Sequence, residues 1–323
     1  MPRKIEVSHR TIIFTALFIG LLWFLYFIRD IVIQLAIALL IAAVLNPPVS
    51  RLSKIKIPRA LSILVIYILS LGILGGAIVL ILAPLVEQTT SFANSLPEYL
   101  GRISMPFLIE GDLLGQFTSQ LGSMPANLVK FSISVFSNIL TVLAIFIFSF
   151  YFLLSRTKLE GFLAGLFGEE IGREYIPMID ELEGRLGGWA RGQLILMLIV
   201  GVANYIGLTL LGIPFALPLA LLAGVLEIVP TLGPIIASIP AMIVGFGISP
   251  VAGFGAAILS FLVNQLENYI LVPKIMERSA GVNPIITIIA IIVGFRLAGV
   301  AGAILAVPTV ITLGVLSKKY FAK

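Results

Sequence analysis

The apolar positions of this chain gather in long blocks rather than alternating. Five blocks, at about 11–28, 31–46, 60–82, 133–154 and 192–212, are separated by polar or charged stretches. Each comes close to the ~17 to 25 residues with which a helix crosses about 30 Å of hydrocarbon. None shows the ten-residue alternating segments of a membrane barrel. Beyond Arg191 the pattern changes, because from Gly192 to Leu266 the sole charged side chain is Glu227. Segments 215–247 and 284–316 each hold 33 residues, about 50 Å as one helix at ~1.5 Å per residue. That is too long for one span and barely enough for two with a turn, so each is predicted to be a broken or re-entrant helical hairpin or a pair of short spans. The expected fold is an all-α polytopic integral membrane protein with about six to eight transmembrane segments.

Two further stretches are amphipathic. In 84–131 apolar residues recur at roughly helical spacing but are interrupted by Pro97, Pro106 and Pro125, which predicts short helices lying near the membrane surface. In 156–190, Ile171, Tyr175, Met178, Leu182, Leu186 and Trp189 recur three or four apart. Acidic and basic residues such as Glu170, Asp180, Glu183 and Arg185 fall mostly between them, so this segment is predicted to be an amphipathic helix. Such a helix either packs beneath the bundle or contacts another subunit. The chain thus divides into a membrane scaffold at 1–155, the amphipathic helix at 156–190, a transport half at 191–316 and a short tail at 317–323.

Composition and charge fix orientation and exclude several chemistries. The sequence is 59% apolar and 11% charged, with a mean hydropathy of +1.12, far from the ~25% charged residues of soluble domains. Arg3, Lys4 and Arg10 precede the first block, Arg51, Lys54, Lys56 and Arg59 follow the second, Arg156 and Lys158 follow the fourth, and Lys318, Lys319 and Lys323 end the chain. The positive-inside rule places all of these in the cytoplasm, with both termini, and places 84–131 outside. The net charge of +5 is therefore explained by cytoplasmic loops and anionic lipid, not nucleic acid. Cysteine is absent and the one histidine is His9, so no disulfide, thiolate, metal or cofactor chemistry is expected, and no catalytic residue is assigned. The first block lacks a small-residue cleavage site and reads as a span, with the mature chain beginning near Met1.

The candidate site residues are the polar groups stranded in apolar sequence. An ionised carboxylate at mid-membrane depth costs ~3 kcal/mol or more, so Glu227 needs a partner or a task. It is followed by Pro230, Thr231, Leu232, Gly233 and Pro234, which remove amide donors and free backbone groups that must find partners. A helix beginning near Pro234 would aim its positive end at the carboxylate. The alternatives are that Glu227 lines a transport path, caps that helix, or pairs with Arg296. A second cluster is Asn264, Gln265, Glu267 and Asn268. On a helix Asn264, Glu267 and Asn268 share a face, suited to a cation, a proton relay or a hydrogen-bonding solute, or else to an interfacial helix end with Tyr269 in the aromatic belt. Asn204 lies alone in the fifth block, where interhelical hydrogen bonding is the simpler role. The two long segments also resemble each other: Gly212 and Gly281 each precede the lone charge of their segment, Glu227 and Arg296, by 15 residues, and Ile239-Pro240-Ala241 matches Val307-Pro308-Thr309. Transporters commonly place their sites between such repeats.

The run Glu227-Ile228-Val229-Pro230-Thr231-Leu232-Gly233-Pro234, together with Gln265-Leu266-Glu267-Asn268-Tyr269 through Pro273-Lys274 and Gly299-Val300-Ala301-Gly302 through Pro308, resembles the autoinducer-2 exporter family of bacterial and archaeal membrane proteins. The likeness includes Asn46-Pro47-Pro48 and Gly192-Gln193 and extends over nearly the whole chain; Thr231-Leu232 stands where an aromatic is frequent in the family. The resemblance implies about eight membrane segments and transport of small molecules, with some members exporting the quorum-sensing furanone and others exchanging sodium for protons. The expected protein is a secondary transporter, an exporter of a small solute such as autoinducer-2, in a prokaryotic inner membrane. The alternatives are a monovalent cation/proton antiporter and a non-transporting scaffold. No P-loop is present, which excludes ATP-driven transport within the chain. The partners expected are the small-molecule or ion substrate, membrane lipid and further copies of the chain.

Overall fold

The computed structural model describes residues 9–102, 130, 138–229, 232–276 and 284–321. Among the described residues every regular element is helical. In chain order they are α1 (His9–Phe27), α2 (Arg29–Ser53), α3 (Arg59–Arg102), α4 (Ile139–Ser155), α5 (Leu159–Phe167), α6 (Glu169–Leu210), α7 (Ala216–Leu226), α8 (Leu232–Ile248), α9 (Pro250–Leu266), α10 (Val272–Met276) and α11 (Pro284–Phe321). Six stretches are long and apolar enough to cross a membrane, namely Arg29–Ser53, Arg59–Ser95, Ile139–Phe167, Glu174–Leu210, Pro250–Met276 and Ile285–Lys319. The all-α polytopic architecture read from hydropathy is the one observed.

Two helices run further than the sequence suggests. Helix α3 continues for 44 residues to Arg102 and passes through Pro84 and Pro97 without ending, so the break expected at Pro97 is absent. An interior proline costs ~3 kcal/mol; here tertiary packing outweighs it, since Phe92 is 3% exposed and both Phe92 and Tyr99 pack on Phe215. Pro106 and Pro125 lie outside the described residues. The amphipathic segment is not one helix, since it breaks at Gly168 (φ 93°) after the short α5; from Glu169 helix α6 joins its remainder to the fifth block in one helix of 42 residues. Its inward stripe is as the periodicity predicted at Leu186 and Trp189, both buried against Ala43, Met276 and Val307.

The segments 215–247 and 284–316 are both broken. In the first, α7 has 11 residues and α8 has 17, about 16 Å and 25 Å long, and neither covers ~30 Å of hydrocarbon alone. In the second, α11 is interrupted at Ala298 (φ −142°, ψ 22°) and Gly299 (φ 59°, ψ −142°). A Cβ on Gly302 would lie 2.0 Å from the carbonyl oxygen of Gly294, whereas eight residues of straight helix span about 12 Å. The arms of α11 therefore fold back on each other. The two fold-backs start from opposite ends of the bundle. The first leaves α6 beside Leu208 and Ile213, and the second follows Met276, which packs on Gly192. Its returning arm ends where Lys319 pairs with Glu174.

The end of the bundle near Arg191 is tied by a polar network. Arg156 pairs with Asp180 and Glu183, and Glu183 accepts from Asn46. Arg59 donates to the Asn46 side chain at 2.8 Å and to the Leu153 carbonyl at 2.7 Å. Helix α2 passes through Pro47 and Pro48, which lack the N–H groups that would satisfy the carbonyls of Ala43 and Val44 four residues earlier. Arg191 Nη1 supplies both, at 3.0 Å and 3.1 Å.

Candidate functional site

The site is built around the turn between α7 and α8. Leu226 ends α7, and the amides of Glu227, Ile228 and Val229 still close onto Ala223, Val225 and Leu226. The Gly233 amide then reaches back to the Val229 carbonyl at 2.9 Å. A Cβ on Gly233 would sit 2.0 Å from the Leu226 carbonyl oxygen, so only glycine lets the arms approach this closely. Pro234 occupies the first turn of α8, where its missing N–H would have had no helical partner in any case. Pro230 and Thr231 lie outside the described residues.

Glu227 is 1% exposed and Glu267 is 3% exposed. Their carboxyl groups lie close enough to interact with each other. Both Glu227 oxygens and one Glu267 oxygen are buried without a donor among the described residues. An ionised carboxylate only accepts hydrogen bonds, so two of them cannot satisfy each other. A shared proton, or a cation between them, would satisfy both, and a buried pair of bare negative charges would be strongly unfavourable. Glu267 opens a π-helical turn, Glu267–Leu271, between α9 and α10; such local irregularity frequently marks functional positions. Gln193 is a further buried polar group; its Nε2 donates to the Glu227 carbonyl at 2.6 Å, and its Oε1 has no partner among the described residues.

About one helical turn from this pair along α7 and α9, Asn204, Pro234, Ser238, Ser260 and Asn264 line a chamber of about 10 Å³ that neither acid lines, room for roughly one water. Asn204 is 8% exposed and donates to its own helix at the Val200 carbonyl, 2.9 Å away. The Asn268 amide donates to the Asn264 carbonyl at 2.9 Å and to its side-chain oxygen at 3.0 Å. Asn268 is itself exposed, and Gln265 is half-buried. Thus Glu227, Gly233, Pro234, Glu267, Asn264 and Asn204 gather in one region. Arg296 does not join them: it is exposed at the turn of α11, while the acidic neighbour of Glu227 is Glu267.

The turn of α11 serves a different surface. Leu297, Ala298 and Gly299 face Arg29, Asp30, Gln34 and Thr141 across a cavity of about 490 Å³, at the end of the bundle opposite Arg191. Deeper down, Ile291, Ala303 and Ala306 of α11 pack against Val229 in the turn of the first fold-back. The turn of the first fold-back therefore touches both arms of the second, whereas the turn of the second faces α2 and α4. Gln193 entered the sequence reading only as part of the family likeness, and Ser238 and Ser260 were not singled out. Gln193 had a signal, as an amide beside a charged residue at the head of an apolar block; single serines in helices carry none.

Comparison with known proteins covers nearly the whole chain. The family model described as AI-2E family transporter matches residues 12–322. The putative transport protein YrrI of Bacillus subtilis (strain 168) is 30% identical over 318 residues, covering 92% of this chain and 89% of that protein. The AI-2 transport protein TqsA of Escherichia coli (strain K12) is 25% identical, covering 88% and 85%. A sodium-lithium/proton antiporter of Halobacillus andaensis is 22% identical, covering 87% of each. With its six long apolar helices, its paired broken segments and a family match along nearly its full length, the chain belongs to the AI-2E family of transporters.

Proposed function

We propose that the protein is an ion-coupled secondary transporter in which Glu227 and Glu267 together hold the coupling ion, a proton or a monovalent cation. The observation that carries this reading is the meeting of two buried carboxyl groups, of which both Glu227 oxygens and one Glu267 oxygen lack a donor among the described residues. Each fold-back acts as a re-entrant hairpin, and the path runs between them, because irregular backbone at membrane depth is tolerated where it is enclosed by protein or lines water. The pair binds its ion differently in the two access states, as coupling requires. The solute is a small molecule moved outward through the inner membrane, with both termini cytoplasmic; the name of the E. coli relative makes autoinducer-2 the first to test. Gln265 and Asn268 belong to the rim of this path, and Arg296 to its opposite mouth. The exposed apolar faces of α1 and α3 suit contact with further copies of the chain.

A second reading is exchange of a monovalent cation for protons without an organic solute. The small chamber one turn away from the acids favours it, since about 10 Å³ admits an ion or a water but no furanone. Proteoliposomes loaded with a pH dye separate the readings. A pH gradient dissipated by added sodium with no organic solute present supports antiport, and dissipation that requires autoinducer-2 supports solute export. Gradients unchanged by Glu227→Gln and by Glu267→Gln would remove both.

A further inference from the structure

We infer that the cavity enclosed by α2, α3, α4 and α6 is a binding site for an acyl chain of the surrounding bilayer. The cavity measures about 520 Å³ and is walled by Tyr67, Phe146, Trp189, Met197, Ile228 and Ile304 among others, with no charged side chain in its lining. Apart from Ser70, the polar side chains at its wall include Tyr67 and Gln193, which are already occupied or sealed. The Tyr67 hydroxyl donates to the Phe146 carbonyl at 3.3 Å. Gln193 donates from Nε2 to the Glu227 carbonyl, and its Oε1 is shut away from the cavity surface. Water needs several polar partners to stay in such a space, and an empty void forfeits dispersion contacts along its whole lining. A flexible hydrocarbon chain meets both conditions.

The opening fixes the source of that chain. Leu71, Leu74 and Leu194 on the rim are 50%, 61% and 58% exposed and lie on helices long and apolar enough to cross the membrane. The mouth therefore faces the hydrocarbon, not an aqueous compartment. The inner wall is formed by Ile228, in the turn of the first fold-back, and Ile304, on the returning arm of the second. A bound chain would separate the scaffold helices from both fold-backs and would be squeezed whenever either of them shifts.

The chain's two tryptophans allow a direct test. Trp189 lines the cavity and is 6% exposed, whereas Trp23 on α1 is 67% exposed. Full-length Trp23→Phe protein, reconstituted in phosphatidylcholine brominated along its acyl chains, is expected to lose most of its Trp189 emission relative to unbrominated vesicles. Ser70→Phe, which fills the cavity from α3, should restore that emission; Met197→Phe serves if the first variant does not fold. The Trp189→Phe protein reports Trp23 alone and should be quenched in every case. The inference is overturned if Trp189 stays bright while Trp23 is quenched, as a second copy covering the mouth would cause. Quenching by aqueous acrylamide in place of bromolipid would show a water-filled cavity and overturn it as well. So would bromolipid quenching that neither filling variant reduces.

Discussion

The two fold-backs differ most at their turns. The first buries an acid, Glu227, at 1% exposure, and the second carries a base, Arg296, on its surface. Both are closed by a glycine pressed against the opposite arm, Gly233 on Leu226 and Gly302 on Gly294. The shared feature is steric and the differing one is electrostatic, so the closure of a turn and the chemistry at its tip are separable. One fold-back places a group that needs a counter-charge beside Glu267 and Gln193. The other places its charge where solvent or lipid headgroups satisfy it, beside a wide cavity near Arg29 and Asp30.

The largest effect should fall on both fold-backs alike. Gly233→Val or Gly302→Val forces side-chain atoms into a space where even a Cβ would lie 2.0 Å from a carbonyl oxygen. A loss of ~3 kcal/mol or more is expected, read as a lower melting temperature and loss of monodisperse protein in detergent. A variant of either glycine with unchanged melting would break the likeness. The next effect distinguishes them. Glu227→Gln should keep or raise the melting temperature, since its amide can donate to Glu267, while lowering ion-coupled flux in vesicles about tenfold or more, equivalent to ~1.4 kcal/mol of coupling. Combining it with Glu267→Gln should cost no more than either alone, because the two act as one unit. Gly299→Ala tests the second turn without crowding, as nothing lies within 4 Å of its Cβ. Its backbone (φ 59°, ψ −142°) is open essentially to glycine, so ~1–3 kcal/mol of strain is expected in chemical denaturation. Smallest of all is Arg296→Gln, for which flux should change less than about twofold, in line with an exposed charge; a tenfold loss would make the two tips functional equals.

Much of this was legible in the sequence because hydropathy reports the thickness of the solvent. A 33-residue apolar segment cannot be one span, and its lone charge marks where the chain turns, as Glu227 and Arg296 both do. Pairing across space was not legible. Glu227 and Glu267 stand on different elements, and their meeting depends on how α9 packs against α8 and α6. The tolerance of α3 for Pro97 was hidden for the same reason: the compensation comes from Phe92 and Tyr99 on Phe215, a contact no local pattern encodes. Glu183 read as one charge of an amphipathic face and proved to join Asn46 and Arg156.

The link from Arg191 to Ala43 and Val44 has a consequence for biogenesis. The second helix leaves the ribosome with two backbone acceptors that its own prolines cannot serve, and the guanidinium that serves them arrives 148 residues later. Until then that end of the helix must stay at the wet margin of the bilayer or borrow donors from the insertion machinery. The early half of the chain is thus a provisional structure, completed by a latecomer, and ribosomes stalled before Arg191 should expose nascent chains whose second helix is open to protease at Asn46-Pro47-Pro48.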